Sequence, residues 1–390
     1  MSWQQVKLGD IFEIARGGSP RPIDQYITDD PNGLNWISIK DASNSSKYIY
    51  KTEKKIKPEG LHKTRLVHPD DFLLTNSMSF GRPYIMKTTG CIHDGWLVLS
   101  ADKSKVDTDY FYHLLGSDFI YRKFVGLAAG AVVKNLNTDL VKSVTVPLPP
   151  INEQRRIASI LDKADELRLK RQQAIEKLDQ LLQATFIDMF GDPVSNPKGW
   201  EKETIGNLAT FITSGSRGWA QYYTDSGSKF IRIQNLVKGD LDMSDCAYVN
   251  APDSAEARRT LVQPGDVLLS ITADLGRTAI VPDDIGLAHI NQHIAILRLS
   301  GVNPAFASHY LASVGGKIQF EKLNRSAVKA GLNFDDIKSL EITLPPIELQ
   351  DKYLKIVQAI KNYQKQLLQF KKQSDNLFQS LQNQVFSGNL

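Results

Sequence analysis

One segment of the chain recurs at half its length: Leu148-Pro-Pro-Ile151 returns as Leu344-Pro-Pro-Ile347, and 347 − 151 = 196 residues in a chain of 390. The same offset pairs Gln154 with Gln350, Leu136-Asn137 with Leu332-Asn333, Asp139 with Asp335, Lys142-Ser143 with Lys338-Ser339 and Phe190 with Phe386. Upstream the offset drifts. It is 197 for Trp3 with Trp200, Leu8-Gly9 with Ile205-Gly206 and Gly18-Ser19 with Gly215-Ser216, and 195 for Pro69 with Pro264 and Gly81-Arg82 with Gly276-Arg277. Small loop insertions account for such drift. Solenoid units run about 20–50 residues, so this period excludes a solenoid and predicts one module used twice, with pseudo-two-fold symmetry and two similar surfaces.

Each half opens with some 145 residues broken by Gly, Pro, Asn and Asp clusters. They carry short β-rich runs at 36–40, 71–75, 96–99 and 144–148, and again at 230–233, 267–271 and 293–299. Short helices are expected at 109–116, 119–125, 305–313 and 317–323, which makes this part α+β. Each half closes on a long helix. Asn152 is the expected cap of the first, Glu153 suits its positive end, and Gly191 with Pro193 stops it. The second is expected from about Glu348 to Phe386.

Leu349, Tyr353, Ile356, Ile360, Tyr363, Leu367, Phe370, Ser374, Leu377 and Leu381 alternate steps of four and three, a heptad seam. Ile157, Leu161, Ala164, Arg168, Arg171, Ile175, Leu178, Leu182, Thr185 and Met189 repeat that spacing in the first helix. Helices of about 38 residues reach roughly 57 Å, too far for one small domain to cover, so they are expected to form an antiparallel intramolecular coiled coil. The expected layout is a first domain at 1–148, a long helix at 149–193, a second domain at 194–343 and a second helix at 344–390.

Apolar residues make up 42% and charged residues 23%, so the chain folds rather than staying disordered. A net charge of +4 permits an anionic partner without requiring one. Two cysteines, Cys91 and Cys246, cannot make a disulfide framework and read as inert core residues. The amino terminus lacks a signal-peptide pattern and no apolar run approaches a membrane span, so a cytoplasmic protein with no membrane association is expected. No Asn/Asp-Pro-Pro-aromatic tetrapeptide, Gly-rich cofactor fingerprint or phosphate-cradling loop occurs, so neither catalysis nor a cofactor is expected. His289 and His293 read as structural rather than as a metal pair.

Leu148-Pro-Pro-Ile-Asn-Glu-Gln-Arg-Arg-Ile157, Leu344-Pro-Pro-Ile-Glu-Leu-Gln350, Pro264-Gly-Asp-Val-Leu-Leu269 with its counterpart Pro69-Asp-Asp-Phe-Leu-Leu74, and Gly17-Gly-Ser-Pro20 form an ordered, duplicated set. In that set the chain resembles, from end to end, the specificity subunit of type I restriction-modification enzymes. The resemblance implies two target-recognition domains, each reading one half of a bipartite site in double-stranded DNA. It also implies helices that set the spacer and dock two methyltransferase (modification) subunits, recruitment of restriction/motor subunits, and no catalysis by the chain itself. The pattern departs from the family's at Leu349, where the first copy has Glu153, and at Asp70, where Gly is usual. A coiled-coil interaction scaffold, or a specificity subunit of a related DNA-modification system, is the alternative reading.

Direct base readout uses Arg or Lys for guanine, Asn or Gln for adenine and Ser, Thr or Asp in support. Residues of these types on expected loops or element ends are Ser19, Arg21, Lys40, Asn76, Ser79, Arg82, Lys134 and Asn135 in the first half. Ser216, Arg217, Gln234, Asn235, Thr272, Arg277 and Lys329 are their counterparts in the second. Each is also a type at home in a solvated loop. Where the halves differ, as at Lys40 against Gln234 or Asn235, the half-sites should differ too, giving an asymmetric target.

Overall fold

The computed structural model describes residues 3–76, 81–128, 136–324 and 331–387. Ser79, Lys134, Asn135 and Lys329 lie outside the described residues. The chain divides into two compact units, Met1–Ala174 with Leu367–Leu390, and Ile175–Gln366.

In the first unit the strand Trp96–Ala101 pairs antiparallel with Phe12–Arg16 on one side and Phe72–Thr75 on the other, and Pro83–Met86 and Tyr48–Ile49 complete that sheet. A second sheet is built around a parallel pair, Leu34–Ile37 with Gly90–Ile92. The second unit repeats the plan. Ile294–Leu299 lies between Ala209–Ser214 and Val267–Ser270, with Thr278–Ile280 outside, while Ser228–Ile231 runs parallel to Ala288–Ile290. The run Phe72-Leu73-Leu74 does not alternate in polarity because both faces of its strand are covered. Phe72 and Leu74 enter one core and Leu73 another, and Val267 and Leu269 are separated from Leu268 in the same way.

One further step in the offset has a specific origin. Arg16 pairs with Leu97 and Phe12 with Ala101 in unbroken register, whereas between Ala209 and Phe211 the matching strand carries a β-bulge at Thr210. The one extra residue moves the offset from 197 to 198, so the backbone of Gly215 corresponds to Gly17 rather than to Gly18. A bulge inside a strand, not a loop insertion, makes this step. At the Pro-x-Asp turns Asp70 adopts φ 74° where Gly265 has φ 82°. Asp is among the few non-glycine residues that tolerate this region, and Lys87 and Lys103 hold its carboxylate at 2.8 and 3.1 Å.

The run at 36–40 corrects one expectation: the strand ends at Ile37, and Lys40 belongs to the short helix Ile39–Ser43, capped by the Ser38 hydroxyl. The other short helices form at Thr108–Leu115, Asp118–Ala128, Pro304–Ala312 and Val314–Leu323. Cys91 is fully buried, which pushes its thiol up to about 11, whereas Cys246 is only partly covered.

The long helices span Ile151–Phe190 and Ile347–Phe386, 40 residues each. Asn152 is not the cap. It lies inside a first turn closed by the amides of Glu153 and Gln154 on the Pro150 carbonyl. Gly191, at φ 82°, ends the first helix. In the first unit Arg168 donates to Asp375 at 2.6 Å, and Ile157 and Leu161 share a core with Phe378, Val385 and Phe386. In the second, Gln364 donates to Asp179 at 2.8 Å, while Phe186 and Phe190 meet Tyr353 edge-on. Residue numbers rise on one helix as they fall on the other, so the pairing is antiparallel. The first helix uses the seam its sequence predicts. The second does not. Tyr353, Ile360, Leu367, Ser374 and Leu381 point as expected, but the alternate positions are Val357, Gln364, Lys371 and Phe378, leaving Tyr363, Phe370 and Leu377 in solvent.

In the second unit a fully buried carboxylate is held in an ion pair. Asp266, fully buried, accepts from Arg298 Nε and Nη2 at 2.8 and 2.9 Å, and its carboxylate also caps the Gln263 amide. Arg298→Ala strands that carboxylate without a counter-charge and is expected to cost about 3 kcal/mol, read as a lower midpoint in chemical denaturation. A change below ~0.5 kcal/mol would show that solvent already compensates Asp266.

Candidate nucleic-acid interface

In the first unit three residues, His93-Asp94-Gly95, turn the chain between the strands Gly90–Ile92 and Trp96–Ala101. The loop after Phe12–Arg16 lies directly on this turn. The Gly17 amide donates to the Trp96 carbonyl at 3.0 Å, and any Cβ on Gly17 would collide with the His93 carbonyl. That contact demands glycine. Asp94 gathers the site: Ser19 Oγ donates to it at 2.9 Å, Arg21 pairs with it at 3.4 Å, and its carbonyl accepts from Arg16 Nε at 3.0 Å and Asn76 Nδ2 at 2.8 Å. The Ser19 hydrogen bond, foremost, holds the Asp94 carboxyl below its usual range. Ser19, Arg21, Ile23, Trp36, His93 and Asp94 line an open cleft of about 740 Å3.

The second unit rebuilds this frame with other side chains. Gly215 donates to the Ile294 carbonyl at 3.0 Å and its missing Cβ leaves room for the Asn291 carbonyl. Arg259 holds the loop in shape, donating to Thr213 Oγ1, to the Ser214 carbonyl at 2.6 Å and to Ser216 Oγ at 2.7 Å. Arg217 beside it is exposed. Thr272 Oγ1 stands 2.5 Å from His293 Nδ1, and Gln292 Nε2 stands 2.8 Å from His293 Nε2.

The sequence-predicted residues therefore separate. Ser19, Arg21 and Asn76 meet at Asp94, and Ser216, Arg217 and Thr272 flank the second turn. Asn76 and Asn235 are buried with their amides bound to backbone: Asn76 Nδ2 donates to the Asp94 carbonyl, and Asn235 donates to the carbonyls of Asp242 and Asp245 at 2.8 and 3.1 Å and accepts from the Arg232 amide at 2.9 Å. They shape loops. Gln234 is exposed, 3.2 Å from Asp245. Lys40 is paired with Glu53 at 2.8 Å, away from that turn. Arg82 is exposed beside the Tyr84 ring, 5.2 Å from its centroid, and Arg277 pairs with Asp274 at 2.5 Å. Asp94, Arg259 and Gln292 were missed by sequence reasoning, and the duplicated glycine contact is the signal that leads to the turns. His289 packs on Trp219 with ring centroids 5.1 Å apart.

The duplicated Leu-Pro-Pro-Ile segment now has a physical role. Gln154 is fully buried, accepts from the Asp107 amide at 2.8 Å and donates to the Lys105 and Pro149 carbonyls at 2.8 and 2.9 Å. Gln350 repeats this on the Asn303 amide and the Pro345 carbonyl. Asp107 and Asn303 cap the helices at Thr108–Leu115 and Pro304–Ala312. Each glutamine thus ties the start of a long helix to a cap in its own unit.

A family model described as the type I restriction modification DNA specificity domain matches residues 1–180 and again 197–374. The chain belongs to this family. The MjaIX specificity subunit of Methanocaldococcus jannaschii is 26% identical over 97% of this chain and 92% of its own length, and the Escherichia coli EcoBI specificity subunit 22% over 100% and 86%. The fold is that of solved specificity subunits. A chain from a study of assembly and conformational transition in the type I R-M system superposes with a TM-score of 0.64 at 18% identity, covering 100% of this chain and 98% of that one. The M. genitalium S subunit gives 0.56 at 16%, covering 99% and 96%. Membership places the chain among the specificity subunits of such systems, not among their catalytic subunits. Among the described residues no helix is long and apolar enough to cross a membrane.

Proposed function

We propose that the chain is the DNA-reading subunit of a cytoplasmic type I restriction-modification complex. Each recognition domain reads one half of an asymmetric bipartite site in duplex DNA, and the long helices set the gap. The observation that carries this reading is the repeated frame: one turn, one glycine contact and one glutamine anchor occur in both units, while the side chains around the turn differ. Conserved backbone with changed side chains is what two half-sites of different sequence require. Exposed Arg21, Arg82, Arg217 and Arg277 supply cationic heads for phosphate or guanine. Lys134, Asn135, Ser79 and Lys329 remain candidates by residue type alone.

Docking of two modification subunits, and through them of restriction/motor subunits, is supported by apolar side chains that the helices leave in solvent. Leu167, Phe370 and Leu377 are 56, 53 and 71% exposed in the first unit, and Tyr363 is 53% exposed in the second. Such residues on an otherwise polar helix fit a protein partner. Exchanging residues 1–148 for the matching part of another family member is expected to change one half-site in the methylated motif of the host genome and leave the other intact. A change in both half-sites, or no dependence of methylation on this chain, would refute the modular reading.

A further inference from the structure

From the matched geometry of the two turns, and resting on the DNA-reading function above, we infer that Asp94 and Gln292 are equivalent specificity-determining residues, Asp94 selecting a C·G pair and Gln292 an A·T pair. The backbone fixes the equivalence. The Trp96 and Ile294 amides close the turns on the His93 and Asn291 carbonyls at 3.1 and 3.2 Å, and Gly17 and Gly215 receive those carbonyls in the same way. Asp94 and Gln292 therefore occupy one position of one frame, 198 residues apart, as do the bulge-corrected strands before them.

The side chains differ in a manner that maps onto base chemistry. An ionised carboxylate only accepts hydrogen bonds, and Asp94 is 45% exposed with one oxygen taken by Ser19 and the other only loosely held by Arg21. Beside a polyanion such a group is repelled unless a base amino group donates to it, and in the major groove the cytosine N4 amine is the partner an Asp carboxylate takes. Gln292 carries both functions. With His293 Nδ1 donating to Thr272 Oγ1, His293 Nε2 is left to accept from the Gln292 amide. His293 leaves Oε1 and one N–H of the half-buried Gln292 amide to other partners, the acceptor and donor that adenine N6 and N7 require. Thr272 acts here as a positioning residue.

The test is methylation sequencing in a host carrying the complete system with wild-type or variant chain. Asp94→Ala is expected to relax one C·G position of the first half-site by about ten-fold or more, with the second half-site and the gap unchanged. Gln292→Ala is expected to relax one A·T position of the second half-site only. Asp94→Asn, which keeps an acceptor for Ser19, and Gln292→Met, which keeps length without polar groups, carry the test if an alanine variant fails to fold. Asp94→Asn is expected to shift that position toward A·T. A wild-type motif in folded variants, or loss spread evenly over a half-site, overturns the inference while leaving the DNA-reading function standing. Methylation that ignores even the wild-type chain removes both.

Discussion

Removing one heptad from each long helix, residues 169–175 and 368–374, is expected to leave both half-sites unchanged and shorten the gap between them by about three base pairs. Seven residues of helix are about 10 Å at 1.5 Å per residue, close to three steps of 3.4 Å along B-DNA. The cuts are chosen from the pairing: Arg168 with Asp375 stays in the first unit and Gln364 with Asp179 in the second. A whole heptad also keeps the seam facing its partner, whereas a four-residue deletion turns each helix by about 40°. Three fewer base pairs turn one half-site by roughly a third of a turn about the duplex, so slower methylation should accompany the shift. Methylation sequencing reads motif and gap together. An unchanged gap in a folded variant would mean that the helices do not set the spacing.

The duplication, the strand runs and the long helices were legible because each leaves a periodic or repeated trace. The seam of the second helix was only half legible. Apolar character chose Tyr363, Phe370 and Leu377, but the positions that face the partner helix include Gln364 and Lys371, beside charged partners such as Asp179 and Asp375. A polar stretch in a seam hides its own register. The candidate interface was less legible still. Buried Asn76 and Asn235 have the same side chain a base reader would have, and only their spent hydrogen bonds separate them from one. Asp94 and Gln292 stand 198 residues apart, an offset that none of the matched sequence segments shows because it arises at the bulge at Thr210. Their equivalence emerges once backbone contacts replace residue numbers.

Acidification should weaken the second unit through a buried histidine. His113 and His309 lie 196 residues apart on matching helices. His113 meets a carboxylate, Asp162 on the first long helix, at 2.8 Å, whereas His309 meets Tyr353 Oη at 3.1 Å and the Lys361 ammonium at 3.5 Å on the second. Burial, then Lys361, lowers His309 to about 4, and Asp240, paired with Lys361 at 2.6 Å, opposes this without reversing it. An unfolded histidine titrates near 6.5. Between those values the unfolded chain binds the extra proton, so stability falls as pH falls, by up to about 3 kcal/mol at pH 4. His289, lowered by burial, adds in the same direction, and His93 does so in the first unit. Asp162 behaves otherwise. Burial would raise it, but hydrogen bonds from His113 and Lys47 outweigh burial and bring it to about 2. Its contribution, about 1 kcal/mol after solvent screening, is therefore present above pH 3.8 and lost only as pH falls toward 2. Thermal melts from pH 7.5 to 4.5 should show one transition moving down with acid, and His309→Gln should flatten that slope while lowering the midpoint at neutral pH. An equally steep slope in the variant would assign the acid response to another group.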